Sequence, residues 1–158
     1  MILRGHGIEI DLPGGWEGRI FRRGHGAPTL HAATFPLPHA DGEFGSYATA
    51  RMPAGGAFLT LTEYHPGKGL EPGRGLFRSS ALPLPLRHDR FHPRTLLVGR
   101  RGQAGFQHFF TMGGRPFCLY AVVKRAHGSL GAAGHPHLGG INGVLRSLRV
   151  VSRAHHPG

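Results

Sequence analysis

Cysteine is nearly missing: Cys118 stands alone among 158 residues. A single thiol permits no intrachain disulfide and no cysteine-based metal site. Phe117 and Leu119 flank it inside an apolar run. It is therefore expected to be a buried, inert thiol, since reactive cysteines need exposure and an electropositive or histidine-paired setting. Acids are also scarce, with eight Asp and Glu in all. Scattered as they are, they offer no paired carboxylates for acid–base catalysis. No apolar stretch nears the ~20 residues of a membrane span. The opening Met1-Ile2-Leu3-Arg4-Gly5 lacks the apolar core of a signal peptide, so a cytoplasmic setting is expected. Lysine is rare too: Lys68 and Lys124 are the two lysines among 19 basic residues.

The chain is instead rich in glycine (27), proline (13) and histidine (13), with 39% hydrophobic residues. GC-rich codons alone would raise Gly, Pro, His, Ala and Arg together. The apolar residues nevertheless fall in periodic blocks, and the glycines lie mostly between them. That pattern, at this length, marks one globular domain, taken as residues 1–152 with a frayed tail at 153–158. The net charge of +11, with histidine neutral, favours anionic partners: an acidic protein face, nucleic acid or an anionic membrane surface. The arginines come in short scattered groups. Arg22, Arg23, Arg100, Arg101, Arg146 and Arg149 are the candidate contacts for a partner or anion. The plainer reading of the same residues is a solvated basic surface.

Ile8-Glu9-Ile10-Asp11-Leu12 alternates apolar and acidic side chains, the period of a half-buried strand. Pro13-Gly14-Gly15 ends it, and residues 16–23 read as a second strand returning as its hairpin partner. Trp16 is expected to anchor the core. Residues 29–35 read as a third strand. Ser46 is placed to cap a short helix over residues 47–52. Residues 57–64 form a clear strand, with Glu63 near its end and within reach of His65. Residues 68–93 are a long irregular connection, in which Ala81-Leu82-Pro83-Leu84-Pro85-Leu86 suggests an extended edge segment laying leucines on the core. Residues 95–99 suggest a short strand. Residues 105–112 and 115–124, joined by Gly113-Gly114, are the best hairpin in the chain. Its second strand is apolar on both faces, as a covered strand must be. Leu138, Ile141, Leu145 and Leu148 recur at helical spacing, opened by His135-Pro136, and residues 148–151 suggest a final short strand.

An antiparallel sheet with a helix at two places is an α+β layered domain. Gly7-Ile8-Glu9-Ile10-Asp11-Leu12-Pro13-Gly14-Gly15-Trp16 resembles the opening strand and Pro-x-Gly-Trp turn of the PsbP-like superfamily. Ile141-Asn142-Gly143-Val144-Leu145-Arg146-Ser147-Leu148 resembles its closing helix. The resemblance implies a single-domain α/β/α sandwich, an antiparallel sheet flanked by helices. It also implies a binding or accessory role without catalysis, since members of that superfamily are mostly of this kind. It assigns no residue a function.

Thirteen histidines raise the question of metal. His135 and His137 are spaced to chelate from an extended segment. Neither has an acid beside it to complete or orient a site, so no metal and no cofactor is expected. His6, His25, His31, His39 and the pair His155-His156 are further candidates. His108, in a strand, is expected to be a hydrogen-bonded core histidine. Ser79-Ser80 lacks a nucleophile-elbow turn, and Gly67-Lys68-Gly69 is not a phosphate loop. The reading that follows is a non-catalytic domain engaging a protein partner, or its own copies, through a basic surface. One alternative is a nucleic-acid binder that stacks bases on Phe106, Phe109, Phe110, Phe117 and Tyr120, with Arg146, Arg149 and Arg153 on one helical face. The other is a small enzyme or histidine–metal protein.

Overall fold

The Gly113-Gly114 pair takes φ values of 60° and 69°, the left-handed conformation that a two-residue hairpin turn requires and that glycine adopts without a steric penalty. In the computed structural model, which describes residues 1–67, 69–126 and 138–152, this turn joins the two longest strands. The elements run β1 (Ile2–Gly5), β2 (Ile8–Asp11), β3 (Glu17–Phe21), β4 (Thr29–Ala33), α1 (Ser46–Ala50), β5 (Ala57–Glu63), β6 (Gln103–Met112), β7 (Arg115–Lys124), α2 (Leu138–Arg146) and β8 (Arg149–Val150). The fold is mixed α+β and dominated by two antiparallel sheets. One has the order β3-β4-β5-β7-β6 and the other β1-β2-β8.

Strands β5 and β7 are buried along almost their whole length, so apolar groups must meet both faces. Leu59, Leu61, Leu119 and Ala121 join a cluster with Ile8, Ile10 and Leu12 of the small sheet and with Ile141, Val144 and Leu145 of α2. The alternate residues Phe58, Tyr120 and Val122 join a second cluster with Ala48 of α1 and Met52 just beyond it. The two clusters lie on opposite faces of the strands because successive side chains point opposite ways. Trp16 is half-buried against the first cluster, as expected of a core anchor.

Several sequence expectations need correction. Strand β2 does not pair with the strand that follows it. Its neighbours are β1 and β8, and β3 pairs with β4 in the other sheet. Pro13-Gly14-Gly15 therefore hands the chain from one sheet to the next. The real hairpin turn is His6-Gly7, both at positive φ; β1 was overlooked because four residues show too little alternation. Residues 95–99 form no strand. Thr95 closes a single 3-10 turn at Pro93–Thr95, and residues 96–99 continue without regular structure. Ser46 does not cap α1. Gly45 holds the cap position, and the buried Asp41 carboxylate accepts from Gly42, Tyr47 and Ala48 N–H at 2.8, 3.0 and 2.8 Å. A carboxylate accepts more bonds than a hydroxyl and gains from the positive end of the helix. Arg149 lies in β8, so it does not continue a helical face with Arg146. His135, His137, His155, His156 and Arg153 lie outside the described residues.

The Leu-Pro segment does lay its leucines on the core, with Leu86 buried and Leu82 and Leu84 packed beside it, but it forms no strand. Asn142 of α2 holds it instead. Leu86 N–H donates to Asn142 Oδ1 at 2.6 Å, and Asn142 Nδ2 donates back to Leu86 O at 3.0 Å. Asn142→Ala leaves a buried N–H and C=O unpaired and should lower stability by about 2–3 kcal/mol. Urea denaturation measures it, and a loss below about 0.5 kcal/mol would show that the pairing is not needed.

Candidate functional site

The clefts follow from where the sheets end. Where β6 begins and β7 finishes, a cleft of about 800 Å³ is lined by Arg100, Arg101, Gln103, Lys124 and Arg125, with Pro93 among the neutral residues completing it. No acid lines it. Two of its cations have a structural duty. Arg100 Nη2 donates to Ser46 O at 3.2 Å, Lys124 Nζ to Met52 O at 3.2 Å, and Gln103 Nε2 to Thr49 O at 2.7 Å. These three donors satisfy carbonyls of α1 and its exit, which a short helix cannot satisfy internally. Arg101 and Arg125 are exposed and, among the described residues, make no side-chain hydrogen bond or ion pair. Gln103 Oε1 and Arg100 Nε are buried without a hydrogen-bond partner among the described residues.

A second cleft, of about 280 Å³, lies where the small sheet meets the end of β5. His6, Gly7, Arg22, His65, Arg115 and Ser152 are among its lining residues. Arg115, on its floor, belongs to a buried ion pair with Glu63. Arg115 Nη2 donates to Glu63 Oε1 at 2.6 Å, and Nε reaches both carboxylate oxygens at 3.1 and 3.2 Å. The side chains are 4% and 1% exposed. Burial this deep would be costly for either charge alone. Arg115 also donates to His6 O at 2.9 Å and Val151 O at 3.2 Å, and it lies over the Phe117 ring at 5.5 Å. A Cβ on Gly7 would come within 2.6 Å of Arg115 Nη1, so that glycine serves the turn and the guanidinium together. Glu63 thus meets Arg115, whose planar guanidinium compensates a buried carboxylate, and it lines a neighbouring pocket together with His65.

The structure places the six candidate arginines in three settings. Arg22 and Arg23 border clefts beside β3, Arg100 and Arg101 line the large cleft, and Arg146 and Arg149 are exposed at α2 and β8. Arg149 stands in register with Glu9, which pairs with Arg4 across the β1–β2 hairpin. Lys124 and Arg125 were missed, although Lys124 ends the most legible strand of the chain and Arg125 follows it. The proposed stacking platform is not available as such. Phe106, Phe110, Phe117 and Tyr120 are buried, and Phe106, His108, Phe110 and Phe117 stack in a row with centroids 6.3, 6.0 and 5.8 Å apart.

Burial favours the neutral forms of Cys118, Tyr64, Tyr120 and His31. Burial pushes the Cys118 thiol up to about 11, which keeps it protonated and unreactive. Burial likewise raises Tyr64 to about 12 and raises Tyr120, whose hydroxyl accepts from Leu97 N–H at 2.9 Å. His31 is wholly buried between the Phe21 and Phe58 rings, and burial lowers its pKa. Its Nε2 lies 2.8 Å from Glu43 O. A carbonyl only accepts, so this nitrogen carries the proton and Nδ1 is a lone pair with no donor among the described residues. His108 Nε2 contacts Ala81 O at 3.2 Å. Among the described residues, no three His, Cys, Asp or Glu side chains group as a metal site, and no helix is long and apolar enough to cross a membrane. No family model, curated protein or solved structure matches the chain.

Glu63→Ala leaves the Arg115 charge buried and uncompensated, and should cost about 3–5 kcal/mol of stability. Pairing it with Arg115→Met should recover only part, because His6 O and Val151 O lose their donor; full recovery in chemical denaturation would contradict the bridging role. His31 sets a pH dependence. Above 6.5, its ordinary value, both folded and unfolded states hold it neutral. Below that, the unfolded chain binds a proton that the folded chain resists, so stability falls as pH falls until the lowered folded value is passed. Between about pH 7.5 and about pH 5, His31→Gln, which keeps an N–H for Glu43, should lose less stability than the parent. Equal losses in urea melts would assign the acid sensitivity elsewhere.

Proposed function

We propose that this chain is a non-catalytic binding domain that engages an acidic face of a protein partner through the Arg100–Arg101–Lys124–Arg125 cleft. The observation that carries the reading is that the cleft gathers these four cations with no acid among its lining residues. Two are committed to α1, which fixes the cleft's wall, and Arg101 and Arg125 are exposed, with no side-chain partner among the described residues. Like-signed groups focused in a cleft attract an opposite charge and raise its association rate. At about 800 Å³ the cleft holds several side chains of a partner rather than a single ion.

Two further features support the reading. The strand–turn–Trp16 opening and the Ile141–Leu148 stretch suit a PsbP-like α/β/α sandwich, with residues of α1 and α2 contributing to clusters on opposite faces of the larger sheet. Proteins of that type serve mostly as binding or accessory modules. Cys118, a buried thiol in a chain with no second cysteine, suits a cytoplasmic setting. Self-assembly through the same surface is disfavoured by a net charge of +11, since like charges would be brought together.

Fluorescence anisotropy with a labelled oligoglutamate peptide tests the proposal. Binding should weaken as salt rises, and Arg101→Glu with Arg125→Glu should weaken it at least about tenfold at low salt. A double variant that binds like the parent would overturn the assignment of the cleft. An RNA oligonucleotide bound more tightly than the peptide, and lost in the same variant, would move the function to nucleic acid.

A further inference from the structure

We propose that the smaller cleft, between the His6-Gly7 turn, Arg22 and His65, is a separate site for a small tetrahedral oxyanion of the phosphate or sulfate type. Three independent observations meet there. The first is His6 itself, which stands at φ 50°, the one positive-φ residue other than glycine among the described residues. A two-residue hairpin turn of this kind is ordinarily built from Asn, Asp or Gly at that position. A histidine there is held at some steric cost, and such outliers cluster at ligand sites. Its side chain is exposed and lines the cleft.

The second observation is the guanidinium on the floor. Arg115 has five N–H groups. Nε and one N–H of Nη2 serve Glu63, the other N–H of Nη2 serves His6 O, and one N–H of Nη1 serves Val151 O. The remaining N–H of Nη1 has no acceptor among the described residues, on a side chain only 4% exposed that lines the cleft. The third is charge. Glu63 offsets Arg115, no acid lines the cleft, and Arg22 is exposed and makes no hydrogen bond or ion pair among the described residues. The volume, about 280 Å³, falls below the range of drug-sized pockets and suits one functional group. The residues that line it come from the β1–β2 turn, from β7 and from the segment after β3, and donors gathered from separate segments suit the several oxygens of a tetrahedral anion. His65 is fixed at its rim by the Nε2 contact to His25 O at 2.8 Å.

Isothermal titration with inorganic phosphate, sulfate and acetate tests this, with His6→Gly and Arg22→Ala as the variants. Glycine suits the turn better than histidine, so His6→Gly should melt at or above the parent temperature while losing the ligand group. Phosphate or sulfate should bind saturably and more tightly than acetate, and each variant should weaken binding about tenfold, the effect of losing one charge-assisted hydrogen bond. Absence of saturable phosphate or sulfate binding by the parent would overturn the proposal. So would acetate binding as tightly, or affinity unchanged in both variants. Because Arg101→Glu with Arg125→Glu alters the other cleft, loss of anion binding in that variant alone would also overturn it, and the two sites fail or stand separately.

Discussion

One buried ion pair ties this molecule together. Arg115 begins β7, and Glu63 ends β5, so their pairing closes one end of the large sheet. The same guanidinium donates to the turn of the β1–β2 hairpin and to the chain just after β8, which belong to the small sheet. Four segments distant in sequence are thereby fixed around one charge. An ion pair this deep need not add net stability over an apolar replacement. Its geometric effect is different: a planar group with five donors admits only one arrangement of the carbonyls and carboxylate around it. The relative placement of the two sheets is set there, and so is the floor of the smaller cleft.

The distribution of charge follows from how few acids there are. Asp41 caps α1, Glu63 holds Arg115, Glu9 pairs with Arg4, and Asp11 meets the N-terminal ammonium at 3.3 Å. Architecture consumes these carboxylates, whereas Arg22, Arg101 and Arg125 are left exposed. The basic surface is thus what remains after the fold has used its anions. This explains why the chain presents cationic clefts and offers no pair of free carboxylates in either.

Elements with a strong local signal were legible in the sequence. The Gly113-Gly114 turn and its two strands were readable because the turn chemistry, the alternation and the apolar run all agree. The helical spacing of Leu138, Ile141 and Leu145 was readable for the same reason, although α2 ends at Arg146 and Leu148, read as its next turn, lies beyond it. Partnership between strands was not. Pro13-Gly14-Gly15 has the composition of a hairpin turn, yet the choice between a hairpin and a crossing to another sheet depends on β8, far along the chain. The cap of α1 was misassigned because Asp41 reaches back from five residues before Ser46, outside the usual capping window. The role of Arg115 was hidden for a similar reason: within its own strand it reads as an ordinary polar flank. Of the site, Arg22, Arg100 and Arg101 could be flagged from composition, but their sorting into separate clefts is a property of the fold alone.

The pairing of β2 with β8 has a kinetic meaning. Asp11 N–H donates to Ser147 Oγ across 136 residues of chain, and Glu9 stands beside Arg149. Contacts this remote in sequence form late, since the entropy of closing so long a loop must be overcome before they contribute. The β1–β2 hairpin forms locally and early, yet Ile8, Ile10 and Leu12 gain their full cover only when α2 and β8 arrive. The small sheet is therefore among the last parts of the fold to be completed, and the apolar face of its hairpin waits in water until α2 and β8 cover it.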